Sequence, residues 1–558
     1  MSQKKIIVIG GAHGGPTAAA RAREFDENAH VMLVEKKDHV SWVRAGLRYH
    51  LSGDVSHYDE IDRERAAFFT QRYRIDVHTQ TEAVALDLDA SYVTLKSPSG
   101  IHRHRFDSVV FAGGAASKKA NIDALGGPGV TFFRNVDHLQ KIRSLIEQGA
   151  KKAVVIGCGP YGLEAVAGLQ GAGLAVEVIE RAPRILPHFS LPAAHAAAQM
   201  LIESGAKLHL NAEIESVERV GESKRTIQLN NGTVLEADIV VVCVGMKPQT
   251  QLLQEAGAAI HPSGAVRVRE TMETTLPRVY ACGTAVLVPH AVTKGPWWFP
   301  QPAIAERTAQ IAGRNAAVGH QGDSESMSPV AGTAVLQIGN YWIARTGLTD
   351  ELARTHLGED RIQVVTIHGY SSERWLSGEH ICVRMMVDKA SECVVGAEVW
   401  GSQGVARRID LLASAIVEGW SPSRVADIDM AYLPLLGPTN DPVKEAGALS
   451  ALCLKGEAHP MTTDQLLFQL QQNLDFNLLD VSQDGDYMDQ WPSYAVHVPL
   501  EELRGAMVDM DKNKPVVLLS RAGRRAHLAS RILLQSGFET VSYLDGGALT
   551  WRLLTQNG

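Results

Sequence analysis

Four sets of residues in this sequence have the types and spacing to do chemistry. Glycines cluster in "GGAHGG" (residues 10–15) and "GCGPYG" (157–162). A glycine turn lets backbone N–H groups approach a pyrophosphate, and a helix starting there aims its positive dipole end at the same anion. Gly10, Gly14 and Gly15 carry the first turn, with Ala12 at the second glycine of a strict GxGxxG; Gly157, Gly159 and Gly162 complete that spacing in the second. Glu35, closing "HVMLVE", and Glu180, closing "LAVEVIE", follow their turns by about twenty residues, the separation at which a carboxylate reaches ribose hydroxyls. Lys36 adjoins the first carboxylate. His13 lies inside the first turn, where an imidazole could donate a proton to a reduced substrate; a helix cap or a phosphate ligand is the competing reading. Arg44 and Arg48 flank Ala45 in "DHVSWVRAGLRY" (38–49), and His50 follows. Guanidinium forks grip carboxylate and phosphate, so the stretch reads as a cationic cluster for a small anion; solvent-facing charge on a helix is the alternative, chiefly for Arg48.

The elements that must hold these residues are legible around them. Each turn follows a short apolar strand ("KKIIVIG", "KKAVVIG") and opens a helix of small residues. Three more strand-then-glycine segments follow the same logic: "FDSVVFAGGAA", "ADIVVVCVGMKPQT" with Gly245, and "LPRVYACGTAVLV" with Gly283 and Thr284. The pattern is α/β, with two Rossmann-like dinucleotide-binding domains, one nucleotide held permanently and the other exchanging. Glu180 favours a free 2′-hydroxyl and hence NADH; Arg181 and Arg184 nearby keep NADPH open.

The bulk numbers narrow the class. A length of 558 residues suggests three or four domains, and 45% hydrophobic with 21% charged residues is ordinary for a globular chain. A net charge of -8 argues against nucleic acid as the partner. No apolar run reaches the ~20 residues that span a bilayer, and the N-terminus does not read as a signal peptide, so no membrane role and a cytoplasmic location are expected. Six cysteines form no CxxC or paired spacing; no metal site and no disulfide framework are expected, and Cys158, Cys243 and Cys282 read as small buried hydrophobes.

With these motifs the chain resembles the FAD- and NAD(P)H-dependent pyridine nucleotide-disulfide oxidoreductases. It is most similar to the branch of coenzyme A disulfide reductase, NADH oxidase and NADH peroxidase. "RVYACGTA" resembles the second FAD motif, and "GVARRIDLLASAIVEGWSPSRVADIDMAYLPLLGPTNDPVKEAG" resembles the dimerisation domain. "NLLDVSQDGDY", "VPLEELRG" and "PVVLLSRAGRRAHLASRILLQSGFETVSYLDGGALTW" resemble a rhodanese, so the whole resembles a coenzyme A disulfide reductase–rhodanese fusion. The resemblance implies FAD in the first fold, NADH (or NADPH) in the second, an α+β dimerisation domain making a homodimer, and a C-terminal rhodanese-like α/β domain. The expected domains are residues 1–118 and 251–328 for FAD, 119–250 for NAD(P)H, 329–455 for dimerisation, 456–461 as linker and 462–558 as the rhodanese-like part.

The sequence departs from the family where sulfur is handled. The segment S-F-x-x-C-G aligns on Ser41, Trp42 and Gly46 and puts Ala45 at the redox cysteine; a methyl forms neither thiolate nor mixed disulfide. "AYLPLL" keeps Tyr432 but has Leu436 at the second substrate-facing tyrosine. The rhodanese loop starts with Ser520 instead of cysteine, which leaves its N–H groups, Arg524 and Arg525 as an anion nest or as mere packing. Thr284 replaces the aspartate of the FAD motif; Pro160 takes the place of the aromatic residue over the flavin, with Tyr161 one position on. By position, His13 matches the active-site histidine of the oxidase and peroxidase branch. Trp297, Trp298 and Phe299 in "KGPWWFPQP" could wall a flat substrate pocket or pack a domain junction. Arg21, Arg23 and Ser41 fall at or near coenzyme A contact positions, whereas Glu24 would repel a phosphate, so coenzyme A stays an open and unfavoured partner.

The expectation is a flavin oxidoreductase without a redox cysteine, with His13 and Arg44 catalytic and Ser41, Ala45, Arg48, Trp297, Trp298 and Tyr432 around a small substrate. The acceptor would be oxygen or a small anionic or sulfur-containing compound. Two alternatives stand beside it: a non-catalytic scaffold, and a disulfide or persulfide reductase using another cysteine, Cys282 first.

Overall fold

A computed structural model describes residues 3–42, 44–55, 65–120, 125–319, 324–483 and 495–555; the end of "NLLDVSQDGDY", from residue 484, lies outside them. The chain forms two compact units: Met1–Pro183 with Gly205–Gly332, and Arg184–Ser204 with Thr333–Gly558. Residues 184–204, from the middle of the second nucleotide-binding stretch, therefore belong to the second unit.

In the first unit, β1 (Lys5–Ile9) leads through the first glycine turn to helix α1 (Gly14–Phe25) and then to β2 (His30–Val34). Ile6, Val8, Val31 and Leu33 are fully buried. A parallel strand covered on both faces needs such an unbroken apolar run. The sheet runs Val279–Ala281, Ser108–Phe111, β1, β2, Asp76–His78, all parallel, with Ile7 paired to Met32 on one side and Val109 on the other. The second sheet repeats the plan as Lys207–His209, Ala175–Ile179, Lys152–Ile156, Ile239–Val242, Val130–Thr131. Both turns sit at the carboxyl ends of their strands, where a doubly wound sheet leaves its ligand crevice.

Helix α2 (Gly46–Ser52) continues the 38–49 segment and packs on the helix Pro160–Gly171 of the second fold. The approach is close enough that a Cβ on Gly171 would stand 2.4 Å from Ser52 Cβ. A small residue is therefore required there, and the segment around Ala45 is held to the start of the second nucleotide helix.

The second unit opens its main body with a five-stranded antiparallel sheet in the order Ala334–Ile338, Tyr341–Gly347, Cys393–Gly401, His380–Asp388, Ile362–Tyr370. A second sheet, parallel, runs Pro460–Met461, Val541–Leu544, Val516–Leu519, Asn477–Asp480, Val496–His497. Leu449, Leu452 and Cys453, from the helix Pro442–Leu454, pack into the core of this parallel sheet. Charge crosses the same junction. Arg384 bonds Asp350 (2.8 Å) and the Thr366 hydroxyl (3.0 Å) and lies 3.9 Å from Asp545, whose carboxylate accepts from Thr366 N at 2.7 Å. No described helix is long and apolar enough to cross a membrane.

Candidate active site

The first crevice joins three glycine segments. A Cβ on Gly15 would fall 1.6 Å from Gly10 O, so the turn closes only without a side chain there; on Gly162 it would fall 2.1 Å from Gly157 O, the same constraint in the second fold. A Cβ on Gly14 would stand 3.8 Å from Gly283 Cα, which brings the first turn against the Gly283–Thr284 segment. The Thr284 hydroxyl reaches Gly114, 3.6 Å from where a Cβ would stand, and its carbonyl accepts from Trp298 Nε1 at 2.9 Å. Glu35 ends β2 with its carboxylate accepting from Gly11 N (2.5 Å) and Lys37 N (2.9 Å), while Lys36 Nζ reaches out to Gln249 Oε1 at 3.5 Å. A Cβ on Gly283 would meet nothing within 4 Å. Bare glycine backbone, open room and a strand-end carboxylate fit a dinucleotide such as FAD. Thr284 offers a hydroxyl, with no charge, to its sugar chain.

The second turn is built alike. Glu180 accepts from Cys158 N (2.8 Å) and Ala182 N (3.0 Å), and Gly159 has open space where a side chain would go. Arg184 is locked on Glu351 by two bonds of 2.7 and 2.8 Å, and Arg181 stands 4.0 Å from Glu213. Arg184 thus has another partner.

The 38–49 segment is pinned at its start: Ser41, at φ 57°, donates its N–H to Gly11 O at 2.7 Å. Ala45 precedes α2 with an exposed methyl. Arg44 turns to the second nucleotide helix. Its guanidinium stacks on the Tyr161 ring at 3.6 Å and lies 3.7 Å from Glu164 Oε2. Tyr161 donates its hydroxyl to Pro300 O at 3.2 Å and also meets Arg134. Burial pulls the Arg134 guanidinium down to about 10, with Arg44 adding to the effect, and burial pushes the Glu164 carboxyl up against the pull of Arg44 and Arg48. Arg44, Arg134, Tyr161, Ser117, Gly245 and Met246 line one small cavity. Arg48 stacks on Tyr49 at 5.0 Å. His50 does not join the expected cationic cluster. It is buried, with Nδ1 on Val55 O (3.0 Å) and Nε2 facing Arg143 (2.8 Å); a guanidinium only donates, so the imidazole hydrogen sits on Nδ1.

The remaining candidates lie in other settings. His13 precedes α1 but caps nothing with its side chain; its Nε2 pairs with Glu306 Oε2 at 2.8 Å, and this bond holds the Glu306 carboxyl below its usual range. Trp297 lies against His290 (4.6 Å) and Phe299 (6.0 Å), and Trp298 donates its indole N–H to the Thr284 carbonyl. Arg23 is buried with its guanidinium on the carbonyls of Tyr73, Asp26, Glu27, Ala29 and Arg74, which takes it from a coenzyme A role, and Arg21 pairs with Glu24. Tyr432, in the second unit, is exposed and donates to Glu373 at 3.4 Å.

At the rhodanese-like loop the three named side chains have partners within the chain. Ser520 is buried with its hydroxyl accepting from Ala526 N at 3.2 Å, Arg524 pairs with Glu445 at 3.0 Å, and Arg525 bonds Gln483 at 2.8 Å. Sequence reasoning missed Glu445, Glu306, Glu164 and Arg134. Glu164 alone had a local signal, since it lies two residues after Gly162 on a helix already recognised.

Comparison with known proteins decides the family. The profile of the pyridine nucleotide-disulphide oxidoreductases matches residues 4–299, more than half of the chain. The chain belongs to this family. The dimerisation domain of these oxidoreductases matches 334–440 and a rhodanese-like domain matches 463–553. Among similar curated oxidoreductases, an NADH oxidase of Methanocaldococcus jannaschii is 28% identical over 79% of this chain and 97% of its own length. An NAD(P)H coenzyme A polysulfide/persulfide reductase of Pyrococcus horikoshii is 26% identical over the same shares. In structure, an NAD-dependent persulfide reductase from A. fulgidus aligns at TM-score 0.89 and 29% identity over 98% of this chain and 100% of that one. CoADR-RHD from Bacillus anthracis aligns at 0.93 over 99% and 98% with 22% identity, a likeness of fold. The protein is accordingly an oxidoreductase that depends on FAD and NAD(P)H.

Proposed function

We propose that this oxidoreductase passes electrons from reduced flavin directly to a small acceptor, with no cysteine relay. The reading rests on one observation: position 45 bears an exposed methyl, while Cys282, the thiol beside the FAD motif, is fully buried with burial pushing it up to about 12. A thiol held protonated and out of solvent is neither nucleophile nor electron carrier. Burial likewise holds Cys243 and Cys453 at about 12, and none of the six cysteines is paired in a disulfide.

Bound FAD would supply the hydride chemistry, taking two electrons from NAD(P)H and returning them to the acceptor. The residues of this chain would do the rest. Glu35 and Glu180 would orient the two ribose ends, and the two glycine turns would carry the pyrophosphates. His13, paired through Nε2 with Glu306, would exchange a proton with the acceptor. Arg44 would attract an anion to the Tyr161 side of the 38–49 segment. NADH is favoured over NADPH because the Glu180 carboxylate closes the second turn and Arg184 is paired with Glu351. A homodimer and a sulfur-containing or oxygen acceptor are supported by the dimerisation domain and by the names of the relatives.

Anaerobic mixing of the flavoprotein with NADH tests the reading. The flavin band should bleach in single turnover, and oxygen should restore it; a flavin that stays oxidised under NADH sinks the proposal.

A further inference from the structure

The first glycine turn is met by a second helix, Pro302–Val318. This helix packs on α1 so closely that a Cβ on Gly313 would fall 2.2 Å from Ala18 O. It also holds the Gly283–Thr284 segment, because the buried Thr308 hydroxyl accepts from Gly283 N at 3.0 Å. Glu306, Gln310 and Gly313 follow at helical spacing and share the stripe turned to α1. On the other side His13 and Thr17 stand four residues apart. Glu306 joins the two stripes. Its Oε2 takes the Thr17 hydroxyl at 2.9 Å and His13 Nε2 at 2.8 Å, and its Oε1 takes Gln310 Nε2 at 3.1 Å. Both oxygens are held, which fixes the carboxylate against the imidazole.

The place of His13 makes that carboxylate matter. An imidazole at the N-cap of a 12-residue helix faces the positive end of the helix dipole, which favours the neutral ring. A carboxylate favours the charged ring, and at hydrogen-bond distance it outweighs a helix end. The same coupling is seen from the partner: the bond from His13 is the foremost cause holding the Glu306 carboxyl below its usual range. Among the other groups that meet Glu306, Thr17 and Gln310 do not titrate, and burial keeps the Cys282 thiol protonated up to about 12. The His13 side chain is 50% exposed, so water can recharge the ring.

We propose that Glu306 is a positioning residue that keeps His13 charged and oriented, so that the imidazolium supplies the proton that acceptor reduction consumes. This deepens the reading of direct transfer to a small acceptor and rests on it. With oxygen as acceptor, NADH, H+ and O2 give NAD+ and H2O2. Two electrons and one hydrogen nucleus leave NADH, and the second proton must come from elsewhere. An O–H bond forms as an imidazolium N–H bond breaks, and water returns the proton to the ring.

Titration of the His13 ring by NMR in the purified flavoprotein, its signal assigned by its loss in His13→Asn, tests the pairing. The midpoint should fall by about one pH unit in Glu306→Gln, which keeps the shape and removes the charge, and by less in Glu306→Asp. Rapid mixing of NADH-reduced protein with oxygen tests the consequence. Reoxidation should slow as pH rises through the wild-type midpoint. In Glu306→Gln the falling limb should move down by the same interval, so that reoxidation is about tenfold slower above the wild-type midpoint and unchanged well below both. His13→Asn should lack the limb, and adding Glu306→Gln to it should change nothing further. Matched melting curves and flavin spectra would certify that the variants fold. A His13 midpoint untouched by Glu306→Gln overturns the proposal, as does a midpoint that moves while the reoxidation limb stays, or a limb that survives His13→Asn. None of these results touches the reading of direct electron transfer, which fails if the flavin stays oxidised under NADH.

Discussion

Two of the three glycines of the second turn, Gly159 and Gly162, separate what folds the turn from what the nucleotide needs. Gly159 has φ -81° and nothing within 4 Å of an added Cβ. Gly159→Ala should therefore fold without strain and gain about 0.4–1 kcal/mol through a less flexible unfolded chain. The new methyl would occupy the room into which backbone N–H groups receive the pyrophosphate, so the NADH concentration for half-maximal flavin reduction should rise at least about tenfold, ~1.4 kcal/mol. Gly162→Ala is the contrast. Its Cβ would sit 2.1 Å from Gly157 O, a backbone atom that cannot swing away, which predicts about 1–3 kcal/mol of destabilisation together with loss of NADH response. Thermal unfolding measures the first effect and rapid mixing with NADH the second. Wild-type NADH dependence in Gly159→Ala would refute the assignment of this turn to the exchanging nucleotide, and a stable Gly162→Ala would refute the steric argument.

Cys282→Ala should leave NADH-dependent turnover within about a factor of two, since a buried, protonated thiol carries no electrons; abolished turnover revives a cysteine mechanism. Arg384→Met should cost the second unit about 3–5 kcal/mol by stranding the carboxylates of Asp350 and Asp545, seen as a lowered melting temperature. Burial pushes the Asp545 carboxyl up to about 6, above the 3.8 of a free one, so the folded form takes up its proton more readily. Its contribution should stabilise as pH falls from 6 toward 3.8 and vanish above 6, and Asp545→Asn should flatten that window in a pH series of melting temperatures. Leu433, Leu435 and Leu436 are exposed beside Tyr432; on the proposed homodimer, Leu435→Glu should shift sedimentation from dimer toward monomer.

The two nucleotide folds were legible because their signals are local. A strand, a glycine turn and an acidic strand end lie within thirty or so residues and obey one spacing rule. What assembles across distance was not. Arg134 lies in a loop without a motif and meets Arg44 only because Gly171 lets α2 settle on the second nucleotide helix. Glu445 reaches Arg524 from the helix Pro442–Leu454, and no periodicity announces that a rhodanese-like loop will be answered from there. His50 was misjudged because residue type fixed its chemistry but burial chose its partners, a carbonyl and an arginine.

The central claim is electron flow without a thiol, and one measurement meets it directly. Accessible cysteines are alkylated with iodoacetamide, the protein is mixed anaerobically with NADH, and oxygen is then admitted while the flavin band is followed. The account predicts bleaching and recovery at the rates of untreated protein. Loss of either phase in proportion to thiols alkylated would contradict it.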